Sequence, residues 1–153
     1  MSGTRGYVTE KLLRGPAGTE AAGRELASEL RAGDVILLEG EVGAGKSTLV
    51  RAAMSELGVS GAIPSPTFTI GRYYDGSGQL APISHLDLYR LGDSADEDPG
   101  LLVGFQGPDR ITFIEWPGAS GEELAAEATR TFRLTIEHVD ESSRKVRIER
   151  PQT

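Results

Sequence analysis

The apolar positions of this chain follow two rhythms. Uninterrupted runs at 35–38 (Val-Ile-Leu-Leu) and 111–114 (Ile-Thr-Phe-Ile) suit strands covered on both faces, as in a parallel sheet. Alternation at 131–138 and 145–148 predicts a half-buried closing hairpin around Asp140-Glu141-Ser142-Ser143. The β-branched and aromatic residues 67–74 and the segment 80–88 predict a second antiparallel hairpin, turning at Asp75-Gly76-Ser77-Gly78. Residues 7–13 read as one more short strand, after which Pro16 and Gly18 break the chain. Helical spacing takes over at Ala22, Leu26 and Leu30, with Thr19 as N-cap, Glu20 in the first turn and Gly33 at the end. It returns at Leu49, Val50, Ala53, Met54 and Leu57, in a helix starting near Lys46 and ending at Gly58. Pro64-Ser65-Pro66 forces an extended passage. Residues 92–100 read as a solvated acidic loop, 117–121 as a loop and 122–128 as a short helix. The pattern predicts an α/β domain spanning 1–153: a mixed central sheet with antiparallel hairpin strands, flanked by helices, with 1–6 and 150–153 frayed.

Composition narrows the function. With 38% apolar and 25% charged residues, the 153-residue chain has the make-up of a soluble globular domain that can bury a sizeable core. A net charge of −7 argues against autonomous binding to a nucleic-acid backbone, though not against acting within a complex whose other members hold the nucleic acid. The absence of cysteine excludes disulfides, thiolate metal sites and cysteine nucleophiles. No apolar run approaches a membrane span and the N-terminus lacks a secretory apolar region, so the cytoplasm is the expected compartment.

The chemistry is concentrated after the first apolar run. Gly40-Glu41-Val42-Gly43-Ala44-Gly45-Lys46-Ser47, followed by Thr48, fits the phosphate-loop pattern G-x-x-x-x-G-K-[ST] and lies between a strand and a helix, as the pattern requires. Gly40, Gly43 and Gly45 allow a tight curl whose N–H groups face a phosphate, and the helix beginning near Lys46 points its positive end at the same anion. Lys46 is expected as a solvent-facing ammonium that reaches the β- and γ-phosphates, and the Ser47 hydroxyl is suited to Mg²⁺. ATP and Mg²⁺ are the implied cofactors.

Such a loop needs a carboxylate at the end of a neighbouring strand to hold Mg²⁺ or orient the attacking group. Glu115 follows the run 111–114 directly, and Asp87 sits in His85-Leu86-Asp87-Leu88-Tyr89-Arg90. One of the pair is expected at the metal or its waters, the other at the hydrolytic water. The competing readings are a solvated strand end for Glu115 and a helix N-cap for Asp87. Ser65-Pro66-Thr67 is a candidate switch loop over the γ-phosphate, or a plain connector. Trp116 is a candidate for stacking near the nucleotide or on a partner, or for ordinary packing. His85 is expected as a packed or hydrogen-bonded core residue rather than a ligand. Arg72 and Arg90 are candidates for neutralising phosphate charge, or surface ion-pair residues.

Taken together, these motifs resemble the bacterial TsaE (YjeE) family. The resemblance rests on the phosphate loop, on Ser65-Pro66-Thr67-Phe68-Thr69, on His85-Leu86-Asp87-Leu88-Tyr89-Arg90-Leu91 and on Ile114-Glu115-Trp116-Pro117, in order across roughly residues 19–118. It implies a P-loop NTPase fold and a cytoplasmic Mg²⁺-dependent ATPase. It also implies association with TsaD and TsaB, the proteins that build threonylcarbamoyladenosine at adenosine 37 of tRNA. By the same resemblance, Ser47, Asp87 and Glu115 serve the metal and hydrolysis, and Thr19 lies near the nucleotide. The chain departs from the family pattern at Ser47, where threonine is commoner, and after Leu91, where a Pro-Glu-Glu-Leu helix is usual. A small-molecule kinase is the main competing function, but no arginine cluster of the lid type follows the central helix. A GTP-driven switch is a third, but the Asn-Lys-x-Asp element that reads guanine is absent.

Overall fold

The computed structural model describes residues 6–61, 63, 70–89, 102 and 104–151. Ser65, Thr67, Arg90 and the loop 92–100 lie outside them, as does the first part of the strand expected at 67–74. Seven strands form one sheet in the order β1-β7-β6-β2-β5-β4-β3. They are β1 (Val8–Arg14), β2 (Asp34–Gly40), β3 (Gly71–Tyr74), β4 (Ile83–Asp87), β5 (Ile111–Glu115), β6 (Arg130–His138) and β7 (Ser143–Glu149). The centre, β6-β2-β5-β4, is parallel, and β3 and the β7-β1 pair close the edges antiparallel. Both predicted hairpins are present, and the sheet is mixed as expected.

The layers explain the two rhythms. Helices α1 (Gly15–Ala27) and α2 (Lys46–Glu56) cover one face, where Ile36, Leu38, Phe113, Phe132, Leu134 and Ile136 form the larger core. Helix α3 (Gly118–Ala126) covers the centre of the other face, packing Leu124 and Ala125 near Val35, Leu37, Leu86 and Ile114. β2 is therefore buried on both sides and needs an unbroken apolar run. β6 is covered on one side only, so Phe132, Leu134 and Ile136 point inward and Arg133 and Glu137 outward. Each such buried side chain contributes about 1.5–3 kcal/mol relative to exposure.

Two helices begin earlier than their sequence signals suggest. α1 starts at Gly15, with Pro16 in its first turn. Pro16 does not break the chain there, because first-turn N–H groups have no helical partner to lose. Thr19 consequently lies inside the helix, buried, with its hydroxyl donating to the Gly15 carbonyl at 3.5 Å, and is not the N-cap. The helix ends at Ala27, where the Ser28 hydroxyl donates to Glu25 O at 2.6 Å, well before Gly33. α3 starts at Gly118, taking in most of the expected loop 117–121, and ends at Ala126. α2 ends as predicted: Gly58 N–H donates to Ser55 O and Val59 N–H to Met54 O, both at 3.0 Å.

α1 packs directly on α2 at Gly23. A Cβ built on Gly23 would stand 2.3 Å from Leu49 O and 3.0 Å from the Ala52 Cβ, so only glycine permits this approach. At the start of β2, Arg130 holds Asp34 through Nε–Oδ1 and Nη2–Oδ2 contacts of 2.8 and 2.7 Å, and the Arg31 N–H donates to the same carboxylate. β2, the phosphate loop and α2 are thus braced from both ends.

Candidate active site

The phosphate loop leaves β2 at Gly40 and enters α2 at Lys46, with Gly45 as N-cap. Gly45 has φ +108°, a left-handed conformation that L side chains rarely adopt. A Cβ there would meet the Thr19 methyl at 3.3 Å, so Thr19 of α1 backs the loop directly.

Parallel pairing brings the acids to the loop. β5 lies next to β2 and β4 next to β5, so both strands end on the same side as β2. Asp87 and Glu115 are register partners across β4 and β5. The Ser47 hydroxyl donates to Glu115 Oε1 at 3.1 Å, which leaves its lone pairs for a cation. Glu115 is only 2% exposed, and its Oε2 also meets His85 Nε2 at 2.6 Å. Asp87 Oδ1 accepts the Tyr89 N–H at 3.0 Å. Burial raises the Asp87 carboxyl above its ordinary pKa, and the nearby Glu115 adds to this, against the Tyr89 hydrogen bond, His85 and Lys46.

Lys46 is not the solvent-facing ammonium expected from its sequence setting. It is 5% exposed, and its Nζ donates to Gly40 O at 2.6 Å and Glu41 O at 3.0 Å. The same Nζ stands 4.1 Å from the centre of the Trp116 ring. Burial lowers its pKa, while Glu115, Asp87 and Glu41 pull it back up. Trp116 itself adopts φ +55°, unusual for a bulky residue, with its N–H bonded to Leu38 O at 3.1 Å. Its ring leans against Tyr89, with centroids 4.9 Å apart.

A cavity flanks the loop on each side. The larger, about 850 Å³, is lined by Gly40, Glu41, Tyr89, Trp116 and the end of β6 among others. The smaller, about 340 Å³, is lined by Thr19, Gly43, Ala44, Gly45, Thr48 and, from the last hairpin, Ser142 and Arg144 among others. Among the described residues no three His, Asp or Glu side chains converge as a protein-only metal cage. Mg²⁺ does not require one, since it is commonly held by one or two carboxylates together with phosphates and water. The hard oxygen donors of Ser47 and Glu115, with Asp87 alongside, suit that chemistry.

The model of the family described as "Threonylcarbamoyl adenosine biosynthesis protein TsaE" matches residues 13–146. The chain belongs to the TsaE family. It is similar to the tRNA threonylcarbamoyladenosine biosynthesis protein TsaE of Streptomyces coelicolor, with 44% identity over 71% of this chain and 73% of that protein. The TsaE protein of the same description from Bacillus subtilis is 33% identical over 86% of this chain and 78% of its own length. The crystal structure of B. subtilis YdiB superposes with a TM-score of 0.72 and 26% identity, covering 95% of this chain and 87% of that one. The fold is thus the P-loop α/β fold that the TsaE resemblance implied.

The structure brings Lys46, Ser47, Glu115, Asp87 and Trp116 together at one end of the sheet and sets Thr19 behind the loop. It does not bring Arg72 in, since that residue is exposed on the edge strand β3. Arg144, Tyr89 and the contact of His85 with Glu115 were not read from the sequence. His85 could have been linked to Glu115 only through the pairing of β4 with β5. Arg144 carries no local signal, because the last hairpin delivers it from the far end of the chain. There it is fixed by bonds of 3.0 Å from its guanidinium to Asp140 O and Ser143 O.

Proposed function

We propose that this protein is a Mg²⁺-dependent ATPase acting in the cytoplasm as an accessory subunit in the formation of N6-threonylcarbamoyladenosine at adenosine 37 of tRNA. In this reading it works with TsaD and TsaB and meets tRNA only through that complex. The observation that supports it most directly is the meeting of Lys46, Ser47 and Glu115 at one glycine-rich loop, in a chain of the TsaE family.

Each residue has a definite task. The N–H groups of Gly43 to Ser47 and the positive end of α2 receive the phosphates. Lys46 exchanges the Gly40 and Glu41 carbonyls for phosphate oxygens, under the cover of Trp116. Ser47 offers its lone pairs to the cation while its hydroxyl proton remains donated to the Glu115 carboxylate. Asp87, beside Glu115 and less buried, orients the attacking water. Bound Mg²⁺ supplies neutralisation of the charge developing on the β- and γ-phosphates. The Thr19, Ser142 and Arg144 side of the loop takes the rest of the nucleotide.

No described arginine is placed against the loop on the Lys46 side, and a site with fewer charge-stabilising groups is a slow one. Hydrolysis by the isolated protein is therefore expected to be slow and to rise with its partners. The measurement is steady-state phosphate release at saturating Mg-ATP with TsaD and TsaB titrated in. A flat titration, with complex formation confirmed separately, overturns the partner-completed site. A small-molecule kinase is the second reading, favoured by the roughly 850 Å³ cleft beside Glu41 and Trp116, which has room for an acceptor. Phosphoryl transfer to an added metabolite in preference to water would decide for it.

A further inference from the structure

His85 is the one fully buried histidine of the chain's two, and the reading above gives it no task. Its ring lies on β4, two residues before Asp87, where the β4–β5 register faces it with Phe113. The Nε2 atom reaches past that pair to Glu115 Oε2 at 2.6 Å. The Nδ1 atom is buried with no hydrogen-bond partner among the described residues. A bare acceptor nitrogen is tolerated in that position more readily than a bare N–H donor. A carboxylate only accepts, so the ring carries a proton on Nε2 and donates it to Glu115.

Glu115 thus has two anchors of different kinds. Ser47 reaches its Oε1 from the phosphate-loop helix, and His85 holds its Oε2 from the sheet. The Ser47 contact comes from the first turn of α2, the end that receives the phosphates and the cation. The His85 contact is rooted in a strand whose residues from Ile83 to Leu86 are all fully buried, and nothing about nucleotide binding need disturb it. A carboxylate with one oxygen fixed from behind presents the other in one direction. Outer partners that orient a ligand in this way typically account for 10–100-fold in metal affinity.

From this geometry we infer that His85 is a positioning residue that fixes the Glu115 carboxylate, through Nε2–H to Oε2, for the cation of the Mg-nucleotide complex. The inference rests on the nucleotide reading above. Its signature is a loss of Mg²⁺ affinity in the nucleotide-loaded protein, with little change in binding of metal-free nucleotide. A role in packing alone would instead weaken both together or neither.

The sole tryptophan, Trp116, adjoins both Lys46 and Glu115, so its fluorescence reports the site. Protein loaded with a non-hydrolysable ATP analogue is titrated with Mg²⁺ for the wild type, His85→Leu and His85→Gln, and the analogue is titrated separately in EDTA. Leucine removes the donor and keeps an apolar filling. Glutamine places an amide N–H near the former Nε2. The expected result is a 10–100-fold higher Mg²⁺ half-saturation for His85→Leu, largely restored in His85→Gln, with EDTA titrations alike in all three. Equal Mg²⁺ affinity in wild type and His85→Leu overturns the inference and leaves the nucleotide reading intact. So does an equal loss in both variants, which assigns His85 to packing. A wild type that responds to neither Mg²⁺ nor analogue overturns the nucleotide reading, and this inference with it. Nitrogen NMR of histidine-labelled wild type requires no variant at His85. The His85 ring is expected as the Nε2–H tautomer, with its Nε2 resonance moving in Glu115→Gln. An Nδ1–H ring, or a resonance indifferent to Glu115, refutes the contact.

Discussion

Asp87 and Glu115 end adjacent parallel strands as register partners, yet they stand in different surroundings. Glu115 is enclosed and held at both oxygens, by Ser47 and His85. Asp87 is partly open and, among the described residues, takes a single N–H, from Tyr89. A fixed, enclosed carboxylate suits a cation ligand, and a more open one suits a water. Glu115→Gln and Asp87→Asn should each lower hydrolysis on the order of a hundredfold while changing nucleotide affinity much less. Phosphate release paired with a Trp116 fluorescence titration separates the two effects. An unchanged rate in either variant makes that residue structural.

Lys46→Ala should remove nearly all hydrolysis, by on the order of a hundredfold or more, and leave the protein folded. The Gly40 and Glu41 carbonyls lose a donor in that variant, at a cost of about 1 kcal/mol where solvent does not replace it. Turnover assays and a thermal melt check both parts. Near-normal turnover would falsify the phosphate-loop assignment.

Asp87 also predicts a pH effect on stability. Its folded pKa is raised, chiefly by burial, above the unfolded value of about 3.9. The ionised form is therefore the disfavoured one in the fold. Relative to an always-neutral group, wild type is at no disadvantage below the unfolded pKa and becomes less stable as pH rises through the folded pKa. Asp87→Asn keeps the acceptor for Tyr89 N–H and removes the charge. It should melt higher than wild type at neutral pH in the absence of nucleotide, and the gap should close on acidification below about pH 4. Parallel melting curves that do not converge in acid would count against the burial argument.

Gly23 tests the helix pair behind the loop. In Gly23→Ala the new methyl group meets the Leu49 carbonyl and the Ala52 side chain, and α1 must shift away from α2. Overpacking of this kind costs about 1–3 kcal/mol, read by urea unfolding. Because Lys46 and Ser47 open α2 and Thr19 backs Gly45, nucleotide affinity should fall as well. A variant as stable as wild type would mean that the pair is looser than the structure shows.

The sequence by itself determined the parts whose causes are local. The unbroken apolar run of β2, the glycine-rich loop and the spaced apolar residues of α2 are consecutive, so residues 34–58 were legible as one unit. The alternation of β6 and β7 likewise reports one covered face, and a strand-end acid is visible at Glu115 without any structure. Tertiary structure decided what depends on sheet order and on backbone conformation. Ser47 and Glu115 are separated by 68 positions, and only the adjacency of β2 with β5 joins them. His85 meets Glu115 because β4 pairs with β5, and Arg144 lines the smaller cavity beside the loop because the last hairpin folds back there. The ammonium of Lys46 looked free in the sequence. It is enclosed because Trp116, in a left-handed conformation that no pattern announces, turns its ring over it. The start of α1 at Gly15 was missed for a similar reason: Pro16 is a breaker within a helix and an acceptable residue in its first turn. Periodicity and motif spacing record short-range constraints, whereas which side chains converge on a phosphate is set by contacts between segments that the chain order keeps apart.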